Sequence, residues 1–169
     1  MADPSTLTIP TTVQNVDITV AALIENAGRF LLVEERAGGR AVFNQPAGHL
    51  EPGETLTEAV VRETLEETGF SFEPAAVLGL YHWYSEADDV TFLRVAFCGD
   101  ASAPRSTPEL DPVIIATHWL TREQALGQQN RLRSPMVLRC IDDYRAGTRF
   151  PLSCLAELAL EERLGRTGD

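Results

Sequence analysis

The chain has 169 residues, enough for one domain with a substantial core, and its 44% hydrophobic and 23% charged residues are typical of globular proteins. A net charge of −11 argues against a nucleic-acid polymer as partner, because such binding needs clustered Lys and Arg. No apolar run is long enough to cross a bilayer, the start lacks a secretory signal, and the three cysteines fit neither a disulfide framework nor a zinc site. We therefore expect a cytoplasmic protein that acts on small molecules away from membranes.

Strands dominate the predicted structure before residue 46. Residues 16–24 are rich in β-branched and small apolar side chains, which predicts a strand. A turn at Asn26-Ala27-Gly28 leads into a second predicted strand at 29–34, so we expect the two to pair as a hairpin. Residues 41–45 are predicted to form a short strand that ends before Pro46.

Residues 55–67 form the clearest predicted helix. Thr55 and Glu58 have the spacing of a capping box at its start, and Gly69 provides the stop at its end. Further strands are predicted at 77–85, 90–98 and 113–120, and helices after Thr121, at 134–146 and at 152–164. Strands interleaved with helices indicate an α/β protein, an α/β/α sandwich around a mixed β-sheet. Residues 1–14 are predicted to be a flexible N-terminal segment and 15–169 a single domain.

One face of the central helix carries three carboxylates. Glu63, Glu66 and Glu67 are spaced i, i+3 and i+4, so their side chains project together, and helix propensity does not ask for such repulsion. Clustered carboxylates suit Mg²⁺, whereas the alternative is a solvated acidic face paired with Lys or Arg. The glutamate-rich half of the helix has one Arg and no Lys, which favours a metal over the solvated face. The opposite face, predicted to pack into the core, carries Val61, Thr64, Leu65 and Thr68.

The residues around this helix resemble the signature of the Nudix hydrolases. That signature is Gly, five residues, Glu, seven residues, Arg-Glu, two residues, Glu-Glu, one residue and Gly. Its fixed positions are filled by Gly48, Glu54, Arg62, Glu63, Glu66, Glu67 and Gly69. Thr64 and Phe70 depart from it at positions that concern packing. The resemblance implies the Nudix fold and hydrolysis of a phosphoanhydride bond.

The resemblance also implies a role for each residue of the signature. Mg²⁺, with Mn²⁺ as the alternative, would be bound by Glu66, Glu67, Glu63 and the carbonyl of Ala47. Glu63 would be a further metal ligand or the base that activates water, and Arg62 would orient a glutamate, through Glu54. Family members often take one more acid from a later loop, for which the candidates are Glu86, Asp88, Asp89, Glu109 and Asp111.

Segments outside the signature resemble one subgroup, the NudJ-type phosphatases. These segments are residues 43–51, 82–83, 92–94, 132–135 and 144–152. The resemblance implies removal of the terminal phosphate from nucleoside tri- and diphosphates and from thiamine-type diphosphates. A Nudix pyrophosphohydrolase that releases diphosphate or splits a nucleotide sugar is the alternative, and a binding or regulatory module without turnover is a second. Both a monomer and a homodimer remain open.

Three residues are candidates for binding the substrate phosphates. Arg133 stands just before the predicted helix at 134–146 and Ser134 at its N-terminus, and helix N-termini favour anions. The alternative there is a helix cap with a surface Arg. Arg94 lies in a predicted strand, where it either points into the cleft or pairs with an outward acid.

Three residues are candidates for binding the organic part of the substrate. Trp83 would stack a pyrimidine ring, or it would be a core aromatic residue. Asn44 and Gln45 would read the edge of that ring, or they would satisfy the backbone of an irregular loop.

Overall fold

The computed structural model describes residues 16–104 and 109–156. The strands are β1 (Val16–Leu23), β2 (Glu25–Asn26), β3 (Arg29–Ala37), β4 (Arg40–Asn44), β5 (Ala47–His49), β6 (Ser71–Ser85), β7 (Val90–Ser102), β8 (Ile114–Leu120) and β9 (Phe150–Pro151). The helices are α1 (Leu56–Thr68), α2 (Arg122–Gly127) and α3 (Met136–Arg145), with 3₁₀ turns at Gln129–Arg131 and Leu152–Cys154. The segment 1–14, predicted to be flexible, lies outside the described residues.

The strands form two sheets. In the five-stranded sheet, of order β5-β1-β7-β6-β9, β1 and β7 are parallel and the other neighbours are antiparallel. In the four-stranded sheet, β3 pairs antiparallel with β2, β4 and β8. The larger sheet buries one cluster of apolar side chains against α1 and another against α2 and α3. The predicted mixed sheet between helices is therefore confirmed.

The predicted hairpin between the first two long strands is mostly wrong. β1 lies between β5 and β7, whereas β3 belongs to the other sheet. Only β2 turns back on the start of β3, and the N–H of Leu31 extends this pairing with a 3.0 Å bond to the carbonyl of Ile24. Side chains on both faces of β1 are buried, Val20 on one side and Ala21 on the other, and both edges are paired, so β1 is a central strand.

Helix α1 has the predicted ends but not quite the predicted faces. Thr55 and Glu58 form a reciprocal capping box, and Gly69 ends the helix in the left-handed region with φ 72°. Leu65, expected in the core, is 51% exposed, and Ala59, one turn before Glu63, is completely buried. The helix is therefore rotated so that Glu67 turns inward while Glu66 stays exposed.

Several other predicted boundaries differ from the observed ones. β6 and β7 are longer than predicted because β-bulges near Pro74 and Gly79 carry the pairing past residues that usually end strands. Helix α3 begins at Met136, with Pro135 at its N-cap position, and not at residue 134 as predicted. The helix predicted at 152–164 begins as a 3₁₀ turn, and its part beyond residue 156 lies outside the described residues. No described helix has the length and apolarity needed to cross a membrane.

Candidate active site

The glutamates of α1 form one wall of a cleft of about 410 Å³. The opposite wall comes from the face of the five-stranded sheet that α3 covers, together with the segment that leads into α3. Residues predicted for the site that line this cleft are Asn44, Ala47, Arg62, Glu63, Glu66, Glu67, Trp83, Arg94, Arg133 and Ser134. Sequence positions far apart are thus brought together, with Glu54 behind Arg62 and Gln45 behind Arg94.

Arg62 holds the carboxylate wall together. Its guanidinium donates to both carboxylate oxygens of Glu54, with Nε–Oε1 2.6 Å and Nη2–Oε2 3.0 Å. Nη1 donates to Glu63 and Glu66 at 2.8 and 3.1 Å, and Nη2 also donates to the carbonyl of His49 at 3.1 Å. These bonds raise the pKa of Arg62 and lower that of Glu54. A charged fork of this kind fixes the helix against the loop that precedes it.

Glu67 is the buried member of the glutamate set, being 6% exposed. Its Oε2 accepts a 2.8 Å hydrogen bond from the backbone N–H of Ala47. Burial raises the pKa of Glu67 to about 9 against the opposing effect of that N–H, and Glu35, Glu63 and Asp111 raise it further. This carboxyl group therefore lacks a compensating positive charge.

Glu63 lies directly against Gly48. A Cβ atom at Gly48 would come within 2.1–2.3 Å of the Glu63 carboxylate atoms, so only glycine leaves room for the carboxylate there. Burial raises the pKa of Glu63, and its bond to Arg62 opposes this. The loop that contains Gly48 and helix α1 are thus packed so closely that the Glu63 carboxylate contacts the loop backbone.

The donor set fits a hard divalent cation. Carboxylates that raise one another's pKa values would be stabilised by a nearby positive charge. Carboxylate and carbonyl oxygens are also the ligands that Mg²⁺ and Mn²⁺ prefer. Within 16–104 and 109–156, no three acidic, His or Cys side chains already converge as a metal cage. Glu63 and Glu66 instead face Arg62, so an arriving ion would compete with that guanidinium for them.

Arg94 stands on the opposite wall, nearly buried. Its Nη1 donates long bonds to the side-chain oxygens of Asn44, at 3.4 Å, and Gln45, at 3.3 Å. Gln45 does not line the cleft, since it is 1% exposed and its Nε2 donates to the carbonyl of Val137 at 2.8 Å. Of the two sequence interpretations for Arg94, the structure shows the one that points into the cleft, because this residue lines the cleft. Gln45 therefore contacts both Arg94 and α3 through hydrogen bonds of its side-chain amide.

The segment before α3 contributes one exposed and one buried residue. Arg133 is exposed at the rim of the cleft, and its backbone N–H donates to the carbonyl of Phe43 at 2.8 Å. Ser134 is buried, and its hydroxyl finds no hydrogen-bond partner. It does not act as a side-chain cap for α3, which excludes that alternative for Ser134.

Trp83 is half-buried at the edge of the cleft and not in either core cluster. Its ring stacks on Phe92, with centroids 5.6 Å apart and planes 18° apart. Trp83 and Met136 also line a second, larger groove of about 810 Å³ beside α3. This groove, called here the side groove, is bounded further by Leu80, Tyr81, Arg139, Phe150 and Leu155.

Comparison with known proteins identifies the family of this cleft. The profile of the NUDIX domain matches residues 15–140, three quarters of the chain. The chain belongs to the Nudix hydrolases. The phosphatase NudJ of Escherichia coli K12 is 40% identical over 140 residues, which span 83% of this chain and 90% of that protein. This places the chain among the Nudix enzymes, as its signature predicts.

Solved Nudix structures agree with this assignment. A Nudix hydrolase from Nitrosomonas europaea is 42% identical, with a TM-score of 0.82 over 85% of this chain and 98% of that one. A bifunctional NMN adenylyltransferase/ADP-ribose pyrophosphatase from Francisella tularensis, complexed with AMP and a manganese ion, shares the fold. It is 16% identical, with a TM-score of 0.64 over 80% of this chain and 43% of that one.

Only one of the five later-loop acids reaches the Nudix cleft. Asp111 lines it, and its backbone N–H donates to the carbonyl of Glu66 at 2.9 Å. Glu109 is exposed away from the cleft. The other three lie in the turn between β6 and β7, where Asp89 and Asp88 accept hydrogen bonds from the hydroxyls of Tyr84 and Ser85 at the end of β6.

Glu35 and Thr19 are two cleft residues that sequence reasoning missed. Glu35 on β3 is half-buried, accepts a long 3.4 Å bond from Asn44, and has its pKa raised by burial. A register shift between Glu34 and Glu35 in the pairing with β8 interrupts the alternation that would have indicated its direction. Thr19 is one of several β-branched residues in β1, so nothing in the local sequence indicates that it lines a cleft.

Proposed function

We propose that this Nudix hydrolase is a metal-dependent phosphatase that releases the terminal phosphate of nucleoside tri- and diphosphates and of thiamine-type diphosphates. The observation that carries the proposal is a cleft with carboxylates on one wall and Arg94 and Arg133 on the other. Such a cleft can hold a phosphate chain between bound cations and side-chain donors. The relative named phosphatase NudJ, matched over 90% of its length, supports phosphate as the product.

The proposed metal ligands are the carboxylates of Glu63, Glu66 and Glu67 and the carbonyl of Ala47. Mg²⁺ is the proposed ion, with Mn²⁺ as the alternative. A bound ion would neutralise phosphate charge and acidify a water molecule. Arg62 and Glu54 are positioning residues, since their fork holds the loop and the helix at a fixed distance.

The remaining roles belong to the chain's own side chains. Arg133 and Arg94 attract and orient the phosphates, and Ser134 offers a hydroxyl. In hydrolysis, the water oxygen bonds to the terminal phosphorus while the bond from that phosphorus to the bridging oxygen breaks. The bridging oxygen keeps the electron pair and leaves with the shortened phosphate ester. Glu63 is the proposed ligand of the ion or acceptor of the proton from water, and its bond to Arg62 and its contact with Gly48 support this role.

The organic part of the substrate is proposed to lie at the outer end of the cleft. Trp83 offers its ring to a pyrimidine, supported from behind by the stacked ring of Phe92. Asn44 lines the cleft and can meet the edge of a bound ring, whereas Gln45 acts through Arg94.

Product analysis tests the proposal. The protein is incubated with Mg²⁺ and either a nucleoside triphosphate or thiamine diphosphate, and phosphate is measured with and without inorganic pyrophosphatase. We expect phosphate without pyrophosphatase, and its loss in Glu67→Gln. Glu73→Gln, an exposed carboxylate on β6, is the matched control and should keep full activity. Phosphate that appears from the nucleoside triphosphate only after pyrophosphatase would assign a pyrophosphohydrolase instead.

A further inference from the structure

Three buried polar atoms without a hydrogen-bond partner lie together in the cleft. They are Oγ1 of Thr19, Nε of Arg94 and Oγ of Ser134, and they are all the atoms of this kind in the described residues. Each of these residues is only 5% exposed, and each lines the cleft. Buried polar groups are nearly always hydrogen-bonded, so three exceptions at one place call for a common explanation.

The three side chains come from separate elements that converge by the topology of the fold. Thr19 on β1 and Arg94 on β7 are register partners in the parallel pair, so their side chains leave the sheet on the same face. That face is the one that α3 covers, and Ser134 stands just before α3. The convergence therefore depends on three distant segments and not on one local turn.

The positive charge of Arg94 has no ion-pair partner among the described residues at this place, and the carboxyl groups of Glu35 and Glu67 act on it only from a distance. Within the described part of the chain, no carboxylate lies at ion-pair distance from Arg94, whose only partners are two amide oxygens at 3.3–3.4 Å. A buried charge without an opposite charge destabilises the fold unless a ligand supplies that charge. The exposed Arg133 stands at the rim of the same cleft and adds positive charge there.

We propose that Thr19, Arg94 and Ser134 form a deep subsite for a phosphoryl group, which binds inorganic phosphate even when no metal is present. The proposal rests on the proposed function and adds the residues that receive the terminal phosphoryl group at the inner end of the cleft. The terminal phosphoryl group enters first and reaches the three buried donors. The organic group stays at the outer end, beside Trp83.

The shape of the cleft supports this direction. A terminal phosphoryl group is the narrowest and most charged part of a nucleoside diphosphate, and it carries several acceptor oxygens for three donors. The outer end offers the stacked rings of Trp83 and Phe92, which are half-buried and match an aromatic ring better than a phosphate. The buried carboxylate of Glu67 lies on the facing wall of the same cleft.

Calorimetric titration of the chelator-treated protein with inorganic phosphate tests the subsite. Wild type should bind phosphate, and Thr19→Val and Ser134→Ala should each weaken binding about tenfold, because each loses a hydrogen bond to a charged group. Thr19→Ser should restore binding. Thr91→Val is the matched control, since Thr91 is a buried threonine on β7 that does not line the cleft. No phosphate binding by wild type, or equal binding by all variants, would overturn the proposal.

Thermal stability distinguishes the proposed role of the Thr19 hydroxyl from a merely structural one, because the two roles predict opposite changes in the melting temperature of Thr19→Val. Replacing an unpartnered buried hydroxyl with an apolar group removes a desolvation cost, so Thr19→Val should melt at or above the wild-type temperature without phosphate. Added phosphate should raise the melting temperature of wild type more than that of the variant. A Thr19→Val protein that melts lower and binds phosphate normally would show that the hydroxyl serves the fold alone.

Kinetics separate this inference from the proposed function. If the terminal phosphate enters first, Thr19→Val should raise KM by a similar factor for a nucleoside diphosphate and for thiamine diphosphate. A factor that depends on the organic group would overturn the orientation. Diphosphate release by an enzyme whose phosphate binding behaves as described would refute the proposed product and leave the subsite standing. If the enzyme releases phosphate but does not bind phosphate without metal, the proposed product would stand and the subsite would be refuted.

Discussion

At the scale of single residues, the cleft holds two buried ionisable groups of opposite type, Glu67 and Arg94, and neither of them forms an ion pair within residues 16–104 and 109–156. Glu67 accepts one backbone N–H, and Arg94 reaches two amide oxygens. A cation on the first wall and an anion on the second would supply the missing charges. A metal ion with a phosphate meets both needs together, which explains why the two walls face each other.

The stability of the metal-free protein should depend on pH through Glu67. Its folded pKa of about 9 lies above the usual 4.5, so the folded state holds a proton that the unfolded state gives up. Stability should therefore fall as pH rises from about 5 towards about 9, because the carboxyl group must ionise without a partner. Thermal melts in chelator across this range should show the decline in wild type. Glu67→Gln should flatten it, and an unchanged slope would contradict the assignment.

The contact between Gly48 and Glu63 predicts the effect of a single methyl group. In Gly48→Ala the new Cβ would displace the Glu63 carboxylate, which is a flexible side-chain end, so the protein should fold. Misplacement of a catalytic group by about an ångström can lower the rate roughly a hundredfold, and we expect a fall in kcat of that order. Gly127→Ala is the control, because its added Cβ meets nothing within 4 Å. Equal rates for both variants would contradict a catalytic role for Glu63.

At the scale of elements, local spacing predicts helices well and strand partners poorly. The capping residue Thr55 and the stop at Gly69 act within a few residues, so the sequence shows both ends of α1. The partners of β1 are β5 and β7, of which β7 begins at Val90, and no local pattern indicates that pairing. The spaced glutamates were therefore predictable, whereas Thr19 depends on the register of β1 against β7.

Two capping boxes allow a paired test of α1. Thr55→Ala and Thr121→Ala each remove a side-chain oxygen that accepts from the third residue of its helix, and each should lower stability by about 1 kcal/mol. Only Thr55→Ala should also lower activity, since α1 carries the glutamates and α2 does not. Chemical denaturation and steady-state rates measure the two effects. Equal activity losses would show that α1 has no special link to the site.

At the scale of the whole molecule, the cleft exists only when both sheets and α1 are assembled. The glutamates come from one helix, but Glu35 comes from the smaller sheet and Arg94 from the larger. The family signature predicts the carboxylate wall because its residues are near in sequence. The facing wall is assembled from β1, β4, β7 and the start of α3, and its composition follows from tertiary packing.

Metal binding should therefore stabilise the entire fold. A ligand that binds the folded state at about 100 times its Kd adds about 2.7 kcal/mol, so Mg²⁺ or Mn²⁺ should raise the melting temperature and chelator should reverse the rise. Glu67→Gln should lose most of this response, whereas Glu73→Gln should keep it. If neither ion changes the melting temperature of the wild type, this would argue against a metal site on α1.

The side groove has a consequence for which substrates the enzyme can tell apart. Trp83 and Met136 line both cavities, so the side groove adds about 810 Å³ of space beside the outer end of the cleft. The cleft measures only the part of a molecule that it encloses, and a group that extends past these two residues into the side groove is not enclosed by it. Compounds that share a terminal diphosphate but differ in the size of the attached group would then be competing substrates, and their cellular concentrations would decide which is consumed.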